Sequence, residues 1–501
     1  MKLQLAWLIG IAQALPLAIP NDIQTVFELQ DLGKLPEIDT VKLQLLITAE
    51  GLRERANALY NISLSSVGEY GHPTRVIGSP GHRGTVEYVI LELKSLGYEV
   101  ETQEFEALDS HIESFSLLID GTKPKSLNAL DLTPPTDGLA HGNLVLAKNL
   151  GCSEDDYAHV KGGIALIKRG ECAFGVKSSN AGKAGAIGAI IYDDEELRGT
   201  LGDPTGHEVP TVSVKVSDVE KYIKALTEDP AKKIEASLFV DSYIKVIKTL
   251  NVVAETVEGD HDNVVLLGAH SDSVAAGPGI NDDGSGTISL LEVARHLKNF
   301  KVNNAVRFAW WAAEEEGLLG SEWYANHLSE EENKKLRLFM DYDMMASPNY
   351  EYQIYDANNV DHPNGSGDLR DLYIDWYKEK GLNYTFVPFD GRSDYVGFID
   401  NGIPAGGIAT GAEGVKTVEG QEKFGGEAGK WFDECYHQLC DDLDNVDYEA
   451  WVINTQLIAH SVATYAKDWG TFPKREFESV KVESENSEGS KFLYRGASLI
   501  M

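Results

Sequence analysis

Val264-Val-Leu-Leu-Gly-Ala-His-Ser-Asp-Ser273 decides the fold. Val264 to Gly268 is a short continuous apolar run, the mark of a strand buried on both faces. His270 and Asp272 sit just past it. Two further runs repeat the arrangement. Ala305 to Ala313 is followed by Glu314-Glu-Glu316, and Leu336 to Met340 is followed by Asp341 and Asp343. Strands and helical patterns alternate from there to Tyr465, which predicts an α/β fold with a doubly wound sheet. In such sheets the chemistry gathers outside the carboxyl ends of the strands, so these groups should converge in space.

The converging residue types are those a divalent metal needs. Zinc accepts imidazole and carboxylate ligands. His270 is the first candidate. Asp272, two residues on in an extended segment, shares its face and can accept the other imidazole N–H. Gly279-Ile-Asn-Asp-Asp-Gly-Ser-Gly286 supplies Asp282 and Asp283. One reading makes them a cap for the helix that begins near Ser285. The other makes one of them a carboxylate bridging two metals. In the Glu314–Glu316 triplet one glutamate can ligate while its neighbour acts as general base, but the register is open. Spacing cannot choose between Asp341 and Asp343 either. Cys435-Tyr-His-Gln-Leu-Cys440-Asp-Asp offers His437 inside a small loop that the two cysteines can close. Two histidines and three acidic ligands, with one spare glutamate, match a pair of ions sharing one carboxylate better than a single catalytic zinc with three ligands.

Composition narrows the setting. With 44 basic and 79 acidic residues the 501-residue chain carries a formal charge of −35, which argues against nucleic acid as a partner. Residues 1–14 read as a secretory leader: Lys2, an apolar core, and Ala12-Gln13-Ala14 as a cleavage site. No later stretch has membrane-spanning length. Four cysteines in such a chain predict two disulfides: Cys152 and Cys172 flank the strand at 163–167 and are expected to pair, which leaves Cys435 for Cys440, where a secreted chain favours a disulfide over a pair of zinc ligands. Asn61, Asn364 and Asn383 stand in glycosylation sequons. The expected location is extracellular or, alternatively, vacuolar, with no membrane partner and a monomeric chain.

The length implies two domains. Residues 15–37 carry no strong periodicity and read as a pro-segment. Residues 38–114 open the main domain, with one helix from Asp39 to Tyr60, another, Thr85 to Leu96, opened by Ser79-Pro80-Gly81-His82 and ended by Gly97, and a strand from Tyr98 to Phe105. Residues 115–240 change character. Short strands at 144–147, 163–167, 186–192 and 210–214, with a helix from Phe174 to Ala184, describe a small α/β insert without a catalytic cluster. A strand at 244–257 returns to the main domain, which runs through 241–470. The charged, serine-rich residues 471–501 form a tail.

These motifs resemble the co-catalytic di-zinc aminopeptidases, and the likeness spans roughly residues 40–470. The type is that of the fungal leucine aminopeptidase 2 and aminopeptidase Y proteins, which carry an inserted protease-associated domain. Gly163-Ile-Ala-Leu-Ile-Lys-Arg-Gly-Glu-Cys-Ala-Phe174 and Lys183-Ala-Gly-Ala-Ile-Gly-Ala-Ile-Ile-Tyr192 are similar to that domain's signatures. The resemblance implies a zinc exopeptidase fold, a mixed sheet with helices on both faces. It implies two zinc ions, one on His270, Asp282 and Asp343, the other on Asp282, Glu315 and His437. It implies Glu314 as general base, Asp272 behind His270, Tyr436 at the oxyanion, Arg392 positioning substrate, and a cis peptide between Asp282 and Asp283. The implied substrates are peptides with a free N-terminus, apolar residues such as leucine among them. A carboxypeptidase sharing the metal site and insert, and a metal-free binding protein built on the insert, are the rival readings.

Overall fold

The computed structural model describes residues 35–194, 197–202, 204–475, 494–495 and 498–499. The leader expected at 1–14, most of the segment 15–37 and most of the tail 471–501 lie outside them. The elements of the fold belong to the unit that begins at Glu37.

Strands Asp260–His270, Asn304–Trp311, Leu336–Tyr342 and Ala405–Ala409 run parallel at the centre of the sheet. Antiparallel neighbours flank them, Gln353–Tyr355 on one side and the end of Glu235–Glu255 on the other. The sheet is therefore mixed. Its central strands alternate between two cores, because successive side chains point to opposite faces. Val265, Leu267 and Ala269 pack with Leu52, Leu291 and Leu457 from helices Ala49–Ser63, Gly284–Leu297 and Tyr448–Lys467. Val264 and Leu266 pack with Tyr324, Val396 and Phe398 from helices Leu319–His327 and Tyr395–Asp400. Full burial of one such side chain contributes about 1.5–3 kcal/mol, which fixes the strand and with it the position of His270 at its end.

The insert repeats the plan on a smaller scale. Strands Ala140–Leu146, Ile164–Lys168, Gly188–Asp193 and Thr211–Lys215 are parallel. Helix Val216–Glu228 covers one face and helix Phe174–Lys183 the other. A two-stranded ribbon joins the two regions. Glu99–Ile119 pairs antiparallel with Glu235–Glu255 over nearly its whole length, with one irregularity between Ile112 and Ser114. The sequence pattern marks only short strands at 98–105 and 244–257. In residues 108–116 and 243–248 no side chain is buried and the pattern carries no clean alternation, whereas 236–242 alternate in burial and still escape the reading.

The first helix also differs from expectation. Thr40–Leu45 and Ala49–Ser63 are separate, each with its own cap: Asp39 accepts from the Lys42 amide and Thr48 from the Gly51 amide. Buried Ile47 plugs the break. Helix Pro80–Leu96 starts earlier than its apolar stripe indicates, capped by Ser79 with proline in its first turn, and ends at left-handed Gly97. Both expected disulfides are present, Cys152–Cys172 and Cys435–Cys440. Asn61, Asn364 and Asn383 are exposed, and the Asn383 amide donates to the Lys423 carbonyl at 2.8 Å.

Candidate metal centre

The three strand ends and the cysteine loop do converge. His270 Nε2 lies 3.2 Å from Asp282 Oδ1 and 3.7 Å from Asp343 Oδ1. His437 Nε2 lies 3.1 Å from Asp282 Oδ2 and 3.1 Å from Glu315 Oε2. Asp282 thus turns one oxygen to each imidazole. Two ligand sets result, His270–Asp282–Asp343 and Asp282–Glu315–His437, with the ligand atoms of each set within 4.8 Å of one another. Glu314 reaches in from beside them, its Oε2 3.9 Å from His270 Nε2.

The donor atoms fit a cation. Both His270 ring nitrogens, His437 Nε2 and Asp343 Oδ1 are buried and have no hydrogen-bond partner among the described residues. Buried polar atoms without partners are costly, so an arrangement that turns three of them, His270 Nε2, His437 Nε2 and Asp343 Oδ1, towards the site needs a ligand to satisfy them. The electrostatics agree. Burial lowers the His437 imidazole, but Glu315 and Asp282 outweigh it and hold it up at about 10. Burial raises the Asp282 carboxyl, but His270 and His437 keep it below the usual carboxylate range. Positive charge is favoured between these groups.

Hydrogen bonds place each of the acids whose register spacing leaves open. Asp283 is the cap: its carboxylate accepts from the Gly286, Met344 and His270 amides at 2.8, 3.1 and 3.1 Å. Asp282, left over, faces the site, and the peptide bond between the two is cis. Asp341 stays inside its strand, fully buried, and accepts from the Tyr395 amide. The strand ends at Tyr342, so Asp343 leaves it and turns to His270, held by the Ser393 hydroxyl at 3.1 Å. The two aspartates therefore do not share a strand face, contrary to what their spacing implies. In the glutamate triplet, Glu315 Oε1 accepts from the Val274 amide at 3.1 Å while Oε2 meets His437. Burial, reinforced by Glu315, Asp394 and Asp343, pushes the Glu314 carboxyl well above its usual range, against the pull of His270. Glu316 points to a separate small cavity with Asp109 and Thr200.

Asp272 does something other than expected. Its Oδ1 stands 3.7 Å from His270 Nδ1, beyond hydrogen-bond length. Its two oxygens accept from the Glu314 and Glu315 amides, each at 3.3 Å. It orients the glutamate pair at least as much as the imidazole. Three residues beside functional side chains, Ala313, Met344 and His437 itself, have φ of 61°, 56° and 58°. Left-handed backbone in such residues costs of order 1–3 kcal/mol each and concentrates at functional sites.

A cavity of about 320 Å³ opens from the two ligand sets and is walled by Tyr355, Val387, Arg392, Phe432 and Tyr436. Tyr436 stacks on His437 with ring centroids 3.8 Å apart. Arg392 pairs with Glu413 at 2.7 Å. Arg75 is a residue that sequence reasoning misses. Fully buried, its guanidinium donates to the carbonyls of Ser271, Pro278 and Gly279 at 2.5, 2.7 and 2.5 Å. A lone arginine in a loop has no pattern to betray it. At Gly279, with φ of 59°, an added Cβ would lie 2.2 Å from the Asp282 carbonyl oxygen, so the turn into Asp282 requires glycine.

Comparison with known proteins places this geometry. Residues 251–462 match Peptidase family M28 and residues 140–222 match the PA domain. Aminopeptidase Y of Saccharomyces cerevisiae is 54% identical over 484 residues, covering 93% of this chain and 88% of that protein. The chain belongs to peptidase family M28. It is an enzyme of that family, with a PA domain inserted in the peptidase fold. Leucine aminopeptidase 2 of Arthroderma otae is 45% identical over 416 residues, covering 81% of this chain and 83% of that protein. Among solved structures of the family's fold, an aminopeptidase from Aneurinibacillus sp. strain AM-1 superposes with a TM-score of 0.72 at 28% identity, covering 88% of this chain and 99% of that one. A zinc aminopeptidase from Bacillus subtilis gives 0.60 at 27% identity, covering 84% and 96%.

Proposed function

We propose that the chain is a secreted or vacuolar di-zinc aminopeptidase that removes N-terminal residues, leucine and other apolar residues among them, from peptides. The observation that carries this reading is Asp282, whose two oxygens each meet a histidine with an otherwise unsatisfied nitrogen. His270, Asp282 and Asp343 would hold one zinc, and Asp282, Glu315 and His437 the other. Bound zinc would polarise the scissile carbonyl and acidify water.

The chain's own residues supply the rest. Glu314, buried beside both ligand sets, takes a proton from the attacking water and returns it to the leaving amine. Asp272 fixes the backbone from which Glu314 reaches in. The Tyr436 hydroxyl, in the cavity wall, donates to the oxyanion as charge develops. Arg392, held by Glu413, positions the substrate. The surplus of carboxylates favours a positively charged α-amino group, which makes removal of a terminal residue more natural than internal cleavage. The apolar part of the cavity wall, Val387 and Phe432, suits an apolar first side chain. Two disulfides and three exposed sequon asparagines support an oxidising, glycosylating route.

Paired peptides test the reading. A leucyl peptide with a free N-terminus should be hydrolysed, and its N-acetylated counterpart should not. Equal cleavage of both, or release from the C-terminus, would refute it.

A further inference from the structure

The loop from Ser271 to Asp282 joins ligands of the two sets, and its far end is gripped by a residue outside both. Asp441 receives three consecutive amides from that loop. Ile280 N–H donates to the Asp441 carbonyl at 3.0 Å, Asn281 N–H to its Oδ1 at 2.8 Å and Asp282 N–H to its Oδ2 at 3.0 Å. Asp441 directly follows Cys440, the end of the disulfide loop that carries Tyr436 and His437. At the other end of that loop stands Asp433. It accepts from the Cys435 amide at 2.8 Å and from the Asn281 side chain at 2.7 Å. Asn445 braces the two acids, donating to both Asp433 oxygens at 3.0 Å and to Asp441 Oδ1 at 3.1 Å. Asp433 and Asp441 are buried, and neither belongs to a ligand set.

The physical consequence is specific. His437 stands on an otherwise irregular loop in left-handed backbone, with no strand or helix to fix it. Asp282 stands at the end of a turn. The distance between them must be held for one carboxylate to meet both imidazoles. Asp441 fixes both in a single residue: its chain position holds the His437 loop, its carbonyl holds the Ile280 amide, and its carboxylate holds the Asn281 and Asp282 amides. A buried carboxylate accepting two N–H groups is a strong, directional anchor. We propose that Asp441 is a positioning residue that sets His437 against Asp282, with Asp433 and Asn445 bracing it, and that the Asp282–Glu315–His437 ion depends on it more than the His270–Asp282–Asp343 ion does.

This rests on the two-zinc reading, and the experiment separates the two. Zinc binding to metal-stripped wild type and Asp441→Asn is followed by calorimetry, with circular dichroism and thermal melting as checks of the fold. The amide keeps the shape but replaces one acceptor by a donor facing an N–H. Wild type should bind about two ions, as the shared-carboxylate site requires. Asp441→Asn should retain one tight ion and bind the other roughly 10–100-fold more weakly, the usual cost of losing a group that orients a ligand. Excess zinc should restore turnover. Wild type binding a single ion would defeat the two-zinc reading itself. Two equally tight ions in Asp441→Asn, or equal weakening of both, would overturn the role given to Asp441 alone. If Asp441→Asn does not fold, Asn445→Ala, which removes only the brace, should show the same one-site weakening in smaller measure, and unchanged binding of both ions there would overturn the proposal.

Discussion

The peptidase region and the insert each contain a run of parallel strands, and both follow the same topological rule. In the peptidase region the carboxyl ends of the strands carry His270, Asp343 and the Glu314–Glu315 pair, buried and facing one another. In the insert the corresponding strand ends carry Lys168, Arg169, Asp193 and Lys215. There Arg169 pairs with Asp193 at 2.8 Å and the groups are partly exposed. Topology supplies a crevice in both cases. What separates them is that Arg169 and Asp193 pair with each other in the insert, whereas the peptidase strand ends bring together donor atoms of a kind that hold a cation. Both regions are built around two apolar clusters, and the peptidase region adds buried polar scaffolding behind its strand ends, Arg75 and Asp441 above all.

On that contrast, the largest effects come from the peptidase strand ends. Glu314→Gln should keep both zinc ions and the fold yet lose about 10²–10⁴-fold in turnover, the worth of a general base. Glu315→Gln should behave differently: one zinc site weakens by roughly 10–100-fold and added metal restores part of the rate. Metal content and kcat measured together distinguish the two. Zinc loss in Glu314→Gln with retention in Glu315→Gln would reverse the assignment within the triplet.

A smaller effect concerns acid. His82 is buried against the Ser271 hydroxyl, and burial, opposed by Asp272, lowers its imidazole to about 4. Its ordinary value is about 6.5, so between those two pH values the unfolded chain binds more protons than the folded one. Stability from this group is therefore complete above pH 6.5 and falls as the pH drops towards 4, by up to about 3 kcal/mol in order of magnitude. The insert's His141, His159 and His207 are exposed. Denaturant melts across that range should flatten in His82→Gln. An unchanged slope would place the acid sensitivity elsewhere.

The smallest effect is expected at the insert's strand ends. Arg169→Ala removes a partly exposed pair worth up to about 1 kcal/mol and should leave kcat on a dipeptide substrate unchanged. A tenfold fall in kcat would mean that the insert takes part in the chemistry, and the contrast would fail.

Much of the fold is legible in the residues. The apolar runs before His270, Glu314 and Asp341 announce the strands, because a doubly buried strand leaves an uninterrupted signal. Ser79 and Gly97 mark a helix through their capping chemistry. The middle of the ribbon is hidden since none of its side chains is fully buried, and the break at Ile47 is hidden since one apolar stripe continues across it. At the site, residue types and spacing supply the candidates, while resemblance alone chooses Asp343 over Asp341 and Glu314–Glu315 over Glu315–Glu316. Those choices depend on where a strand stops and which amide each carboxylate caps, and both are set by tertiary contacts. Arg75 and Asp441 act on the backbone of a distant loop, a relation that sequence spacing does not encode.

The central claim is that two ions share Asp282. Metal-stripped enzyme titrated with zinc, with hydrolysis of a leucyl peptide followed at each step, tests it most directly. The account predicts that activity reaches its full value only as bound zinc approaches about two per chain, with Asp282→Ala weakening both sites together. Full activity at one zinc per chain, or an Asp282→Ala enzyme that still binds two ions tightly, would contradict it.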